Sequence, residues 1–178
     1  MTRLLDFSFS LFGIFILSPL IILLFVIGLF DNGSPLFKQT RVGNNQKPFT
    51  LIKFRTMPLG TKSAATHLVK NLKLSVFGNF LRQTKLDEIP QLWNVITGDM
   101  SLVGPRPCLL NQKKLINERK KRAVFKVRPG ITGLAQIKGI TMKNPTLLAK
   151  TDLAMIKQLN VFNYFYYILV TMLLIFKK

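Results

Sequence analysis

The 178-residue chain sets 26 lysines and arginines against seven aspartates and glutamates, a formal charge of +19, yet 48% of it is hydrophobic and 15 residues are phenylalanine. That length suits one compact domain and is too short for two ordinary ones. The charge calls for an acidic partner, while the apolar content argues against a nucleic-acid binder and for an anionic membrane surface or small phosphorylated ligands. The single cysteine, Cys108, excludes an intramolecular disulfide and fits a reducing, cytosol-facing environment.

No residue from Phe7 to Phe30 is charged, and Asp6 and Asp31 bracket the run. As a helix it extends ~36 Å, enough for a hydrocarbon core of about 30 Å. A signal peptide is disfavoured: the apolar run is too long, Asp6 lies in its leading region and no A-x-A-like site follows. Ser18 and Pro19 interrupt the run, and proline removes a helical hydrogen bond. The break permits a re-entrant hairpin whose ends emerge on one side, or a kinked helix that spans. Lys38, Arg41 and Lys47 fall in the cytoplasm under both arrangements.

The segments PLFKQT and FTLIKFRTM, joined by RVGNNQKP, read as two short strands and their connection. Residues 59–65 are small and polar and read as a mobile loop, with His67, the only histidine, shortly after as an incidental residue. From Leu68, the spacing of Leu72, Val76, Phe80 and Leu81 predicts an amphipathic helix interrupted near Gly78. Lys113 to Lys126 reads as a basic helix facing solvent or anionic lipid. RPGITGLAQIKG has too many glycines for a helix and reads as a structured loop. Leu148, Asp152, Met155 and Leu159 restore helical spacing, and VFNYFYYILVTMLLIFKK reads as an aromatic-anchored helix lying in the membrane interface.

Within KLDEIPQLW, Asp87 and Glu88 adjoin Pro90, which is tolerated in a first helical turn. The pair therefore sits near a helix N-terminus, where anions are favoured. Neighbours in a helix point about 100° apart, so the two carboxylates do different work. Thr84-x-x-Asp87 resembles a capping box, so a helix-starting role stands beside a catalytic one. Lys53, Arg55, Arg82 and Arg106 supply phosphate-binding cations. A diphosphate with Mg²⁺ unites the two charge sets: Glu88 as metal ligand, Asp87 as nucleophile or second ligand.

LRQTKLDEIPQLWNVITGDMSLVGPRP, with KFRTM before it and VRPGITGLAQIKG after it, resembles the bacterial sugar transferase family, specifically its small monotopic polyprenol-phosphate phosphoglycosyl transferases. The likeness runs from Arg3-Leu-Leu-Asp6 through Ser18-Pro19 to Asp152. It implies that Asp87 attacks the β-phosphorus of a nucleoside-diphosphate sugar, usually UDP-linked, and expels the nucleoside monophosphate. Polyprenol phosphate then takes the phosphosugar from Asp87. Glu88 is implied to serve Mg²⁺, and Lys53, Arg55, Arg82, Arg106, Arg128 and Asp152 to form the substrate- and phosphate-binding set. One departure is Ile140 in AQIKGI, where relatives often carry arginine.

The expected fold is α+β and mostly helical. Residues 1–31 form a re-entrant membrane helix broken at Ser18 and Pro19. Residues 32–160 form the catalytic part, with a short β-hairpin and amphipathic interfacial helices around a cytosol-facing active site. Residues 161–178 form a hydrophobic, aromatic interfacial helix of the same domain. The expected partners are a nucleotide sugar, undecaprenyl phosphate and anionic phospholipid, with no nucleic acid, and a homodimer is compatible with the chain. The expected location is the bacterial cytoplasmic membrane. The competing reading is a non-catalytic basic protein of the membrane surface.

Overall fold

The computed structural model describes residues 2–60 and 74–176. His67, Leu68, Leu72 and most of the loop expected over 59–65 lie outside the described residues. In chain order the elements are α1 (Thr2–Asn32), β1 (Leu36–Val42), β2 (Pro48–Phe54), α2 (Val76–Thr84), α3 (Gln91–Thr97), β3 (Ser101–Val103), α4 (Lys113–Lys121), β4 (Gly130–Thr132), α5 (Leu134–Ile137), α6 (Pro145–Gln158) and α7 (Val161–Phe176). The protein is mostly helical, with one short antiparallel hairpin and a minimal parallel pair.

Helix α1 extends about 46 Å and is long and apolar enough to cross a membrane. Its buried positions, Asp6, Ser10, Leu24 and Gly28, lie toward its two ends, while Phe12, Phe15, Ile22 and Phe30 are exposed. Both arms meet the same body. Arg3 donates to the carbonyls of Val95 and, at 2.7 Å, Ile96, placing a cation on the unsatisfied acceptors that end α3. Asp6 accepts from Ser101 Oγ at 2.9 Å, Leu102 N at 3.0 Å and the Tyr164 hydroxyl at 2.8 Å, tying α1 to β3 and α7. On the other arm, Leu24 packs in a cluster with Phe54 and Leu81.

β1 and β2 pair from Leu36↔Phe54 to Val42↔Pro48, the hairpin expected from the turn residues between them. Their connection turns through Asn45 and Gln46, both with positive φ. Three differences from expectation stand out. First, α2 begins only at Val76, capped by Ser75, and Gly78 lies in its first turn where it touches the chain after β2: a Cβ there would lie 2.5 Å from the Thr56 carbonyl oxygen. Its inward residues are Gly78 and Leu81, whereas Val76 and Phe80 face out. Second, the glycine-rich stretch expected as a loop contains β4 and α5. Here β4 pairs in parallel with β3, Ser101↔Gly130 and Val103↔Thr132. Two backbones cross there so closely that a Cβ on Gly130 would lie 2.0 Å from Gly104 N. Third, α4 ends at Lys121, shorter than the expected basic helix, and Ala123 leads in the left-handed region into a 3-10 turn, Val124–Lys126.

Helix α6 buries Leu148, Ala149, Asp152 and Met155, matching the spacing seen in the sequence apart from Leu159, which caps the helix instead. Met155, Val103, Tyr164 and Tyr167 form one core cluster. The final helix thus packs on the body through its tyrosines while Phe162, Leu169 and Leu173 face outward.

Candidate active site

Asp87 and Glu88 share a single 3-10 turn, Leu86–Glu88, between α2 and α3. Lys85 ends α2 in the left-handed region, φ 61°, and reverses the chain. Thr84 does not cap the turn: its hydroxyl bonds back to the Phe80 and Leu81 carbonyls at 2.8 and 3.3 Å, so the capping box expected from its spacing to Asp87 is not formed. The turn closes with Glu88 N on Lys85 O at 3.1 Å and Ile89 N on Leu86 O at 3.2 Å. Pro90, lacking an N–H to satisfy, then caps α3. The pair is therefore just ahead of a helix start, with its two side chains in different surroundings.

Asp87 is 6% exposed, and among the described residues its carboxylate accepts no hydrogen bond. Burial, with the neighbouring Glu88 charge, pushes its carboxyl above the ordinary value, against the pull of Lys53, Lys85 and Arg106. Glu88 pairs with Arg106, Nη2 to Oε1, at 2.6 Å. Burial works to raise Glu88 too, but the charge and hydrogen bond of Arg106, with Lys85 and Lys53 behind it, hold it below the ordinary value. Arg106 is raised in turn, chiefly by Glu88. Burial lowers Lys53, and so do the neighbouring charges of Arg106 and Arg82, while Asp87 and Glu88 oppose them. Lys53, Lys85 and Arg106 thus act on both carboxylates, while Arg82 reaches the group through its neighbour Lys53.

The remaining expected residues take other positions. Arg55 spends its guanidinium on Ser34 O at 2.9 Å, Ser34 Oγ at 3.3 Å and Leu36 O at 3.1 Å, bracing the exit of α1 against β1. It shares the Phe37 ring with Lys53, each cation 5.5 Å from the ring centre. Arg82 bonds Thr56 Oγ1 through Nε at 2.9 Å. Arg128 is half-buried in the segment leading to β4. Asp152 is inside the body, 1% exposed, paired with Arg119 at 2.8 Å. Ile140 packs on the core cluster of Val42, Cys108 and Leu115.

Sequence reasoning missed Asn94. It is 2% exposed on α3, accepts Ile52 N at 3.0 Å and donates to Thr50 O at 2.8 Å. That side chain fastens β2, and so the strand carrying Lys53, to the helix that follows the dyad. A lone asparagine in the apolar run QLWNVI was the available signal, since a buried amide must find backbone partners. Among the described residues no three metal-ligating side chains cluster. Two adjacent carboxylates, with Glu88 Oε2 outside the bond to Arg106, nevertheless match Mg²⁺, which takes one or two carboxylates and completes its shell with substrate phosphates and water.

The chain belongs to the bacterial sugar transferase family, whose model matches residues 1–178. It is 43% identical over 138 residues to the uncharacterized sugar transferase EpsL of Bacillus subtilis (strain 168), covering 77% of this chain and 68% of that protein. It is 37% identical over 155 residues to the exopolysaccharide production protein PSS of Rhizobium leguminosarum bv. phaseoli, covering 81% and 76%. It is 40% identical over 129 residues to the UDP-glucose:undecaprenyl-phosphate glucose-1-phosphate transferase of Escherichia coli (strain K12), covering 68% of this chain and 27% of that protein. The chain thus spans most of EpsL and about a quarter of the Escherichia coli relative.

Proposed function

We propose that this protein transfers a sugar phosphate from a nucleoside-diphosphate sugar, UDP-linked, to undecaprenyl phosphate. The observation that carries the reading is Asp87: a residue only 6% exposed, whose carboxylate takes no hydrogen bond among the described residues and is left open at the surface beside the Glu88–Arg106 pair. A carboxylate that no protein donor engages is available to a substrate phosphorus.

In the first step an Asp87 carboxylate oxygen forms a bond to the β-phosphorus, and the bond from that phosphorus to the oxygen bridging the α-phosphate breaks. UMP leaves with the electron pair, and the phosphosugar stays on Asp87 as an acyl phosphate. In the second step a phosphate oxygen of undecaprenyl phosphate attacks the same phosphorus, and Asp87 leaves as carboxylate. Two steps let one small site handle a soluble donor and a lipid in turn. Lys53, Arg82 and Arg106 receive the phosphate oxygens, Arg106 while it is held against Glu88. Glu88, with Asp87 beside it, would hold Mg²⁺, which when bound would neutralise diphosphate charge.

Access to the lipid substrate follows from α1. Both of its arms pack on the body that carries the dyad, and Ser18 and Pro19 lie between them, which supports a re-entrant helix in the cytoplasmic leaflet with the dyad at the cytoplasmic face. The exposed face of α7 extends the apolar surface at the interface.

The test is UMP release from a panel of UDP-sugars by the membrane-embedded protein with undecaprenyl phosphate, run beside Asp87→Asn. Release with one donor, lost in the variant, is expected. Equal release by the variant would refute the assignment of Asp87.

A further inference from the structure

Prolines at 105 and 107 remove two N–H groups from the segment Pro105–Cys108, so it must be held largely through its carbonyls. All four are taken. Pro105 O accepts from Gly130 N at 2.9 Å and Cys108 O from Val42 N at 3.0 Å. Between them, Arg106 O accepts from Arg119 Nη1 at 2.8 Å and Pro107 O from Arg41 Nη1 at 3.2 Å. Two consecutive carbonyls are therefore gripped by two guanidiniums arriving from different elements, α4 and β1.

Neither guanidinium is loose. Arg119, 2% exposed, is pinned by Asp152. Arg41 donates through Nη2 to Gln39 Oε1, two residues back on the same strand face, and its Nε finds no acceptor among the described residues. The position is costly for Arg41: burial first, and then the charge of Arg106, bring its guanidinium down to about 10. A neutral donor would bond a loop carbonyl without setting two cations beside one glutamate. The expense makes sense if the position of Arg106 matters.

We propose that Arg41 is a positioning residue for the transfer reaction: pinned by Gln39, it acts with the Asp152-pinned Arg119 as a clamp on successive carbonyls, fixing Arg106 against Glu88. This rests on the reaction proposed above and adds roles for Arg41, Gln39, Arg119 and Asp152 that act through Arg106. Asp152 in this account serves the site without touching substrate.

A double-mutant cycle tests it, reading the single-turnover rate of phosphosugar attachment to the full chain by intact mass. Arg41→Gln should slow attachment about tenfold when Arg106 is present and less than about twofold in an Arg106→Ala background, because residues acting through one another are non-additive. Gln39→Leu, which keeps Arg41 but frees it, should slow attachment in the same direction, and it carries the test if Arg41→Gln does not fold. Wild-type attachment with equal losses in both backgrounds, or with no loss in either variant, would overturn the clamp alone. No attachment by the wild type would overturn the transfer reading, and the clamp with it.

Discussion

The Ser18 hydroxyl donates to the Phe15 carbonyl at 2.8 Å, the acceptor that the residue at position 19 would bond in an unbroken helix and that Pro19 cannot. In water such a carbonyl would be solvated, but in hydrocarbon an unsatisfied one costs several kcal/mol. Ser18 therefore satisfies the carbonyl that Pro19 leaves without its helical donor, inside a helix that runs without interruption from Thr2 to Asn32. Pro19→Ala restores the helical donor and should shift a tag at residue 1 toward the far side of the membrane, as read by impermeant labelling. Unchanged labelling would count against the re-entrant arrangement.

Asn94→Ala should cost about 2–3 kcal/mol, because it strands the Ile52 N–H and Thr50 carbonyl and empties a buried site. Thermal denaturation should show it as a fall on the order of 5–10 °C for a chain of this size. Asn94→Leu fills the space without restoring either bond and should not recover the loss.

Gly130→Ala should be worse than any surface change. The added Cβ would meet Gly104 N at 2.0 Å, backbone against backbone, so β3 and β4 must separate. A loss of about 3 kcal/mol is expected, together with slower turnover, since the GPRP segment begins at Gly104. A variant with unaltered stability would show that the two backbones can part without cost.

These cases show how far the sequence could be read. The hairpin of β1 and β2 was legible from the Gly, Asn and Pro residues that join its strands, and α6 from the spacing of Leu148, Asp152 and Met155. That Lys53 and Arg106 lie beside Asp87 and Glu88 was anticipated from the density of cations in sequence around so few carboxylates. Gly78 lies in the first turn of α2, and its close approach to Thr56 could be seen only in the packed structure. β4 was hidden because its three residues pair with a strand far away in sequence. The partners of Arg55 and Asp152, Ser34 and Arg119, were hidden because each lies far from its residue in sequence.

The pH dependence should divide between the two carboxylates. Asp87 must be ionised to attack, and its folded value is raised, so the acid limb of the rate should lie above the ordinary aspartate range. For stability, the folded chain holds the Asp87 proton more tightly than the unfolded chain, so ionising Asp87 destabilises the fold as pH rises through that raised value. Asp87→Asn should therefore raise the melting temperature at neutral pH and lose this advantage in acid. Glu88 is opposite: its lowered value contributes stability above the unfolded glutamate value that is lost as pH falls through the folded one. A variant at Asp87 no more stable at neutral pH than the wild type would contradict the assigned burial cost.

Chelation should abolish transfer, and added Mg²⁺ should restore it. Glu88→Gln should weaken the response of the rate to Mg²⁺ concentration by about tenfold or more, as loss of one ligand carboxylate commonly does. The same Mg²⁺ response in that variant would remove Glu88 from the metal's surroundings.

The central claim is a covalent phosphosugar on Asp87. The most direct measurement is intact-mass analysis of the protein after exposure to a UDP-sugar without lipid acceptor, followed by peptide mapping. The account predicts one added phosphosugar on the peptide containing Asp87, discharged by undecaprenyl phosphate and absent from Asp87→Asn. UMP release without any added mass, or an adduct retained in Asp87→Asn, would contradict it.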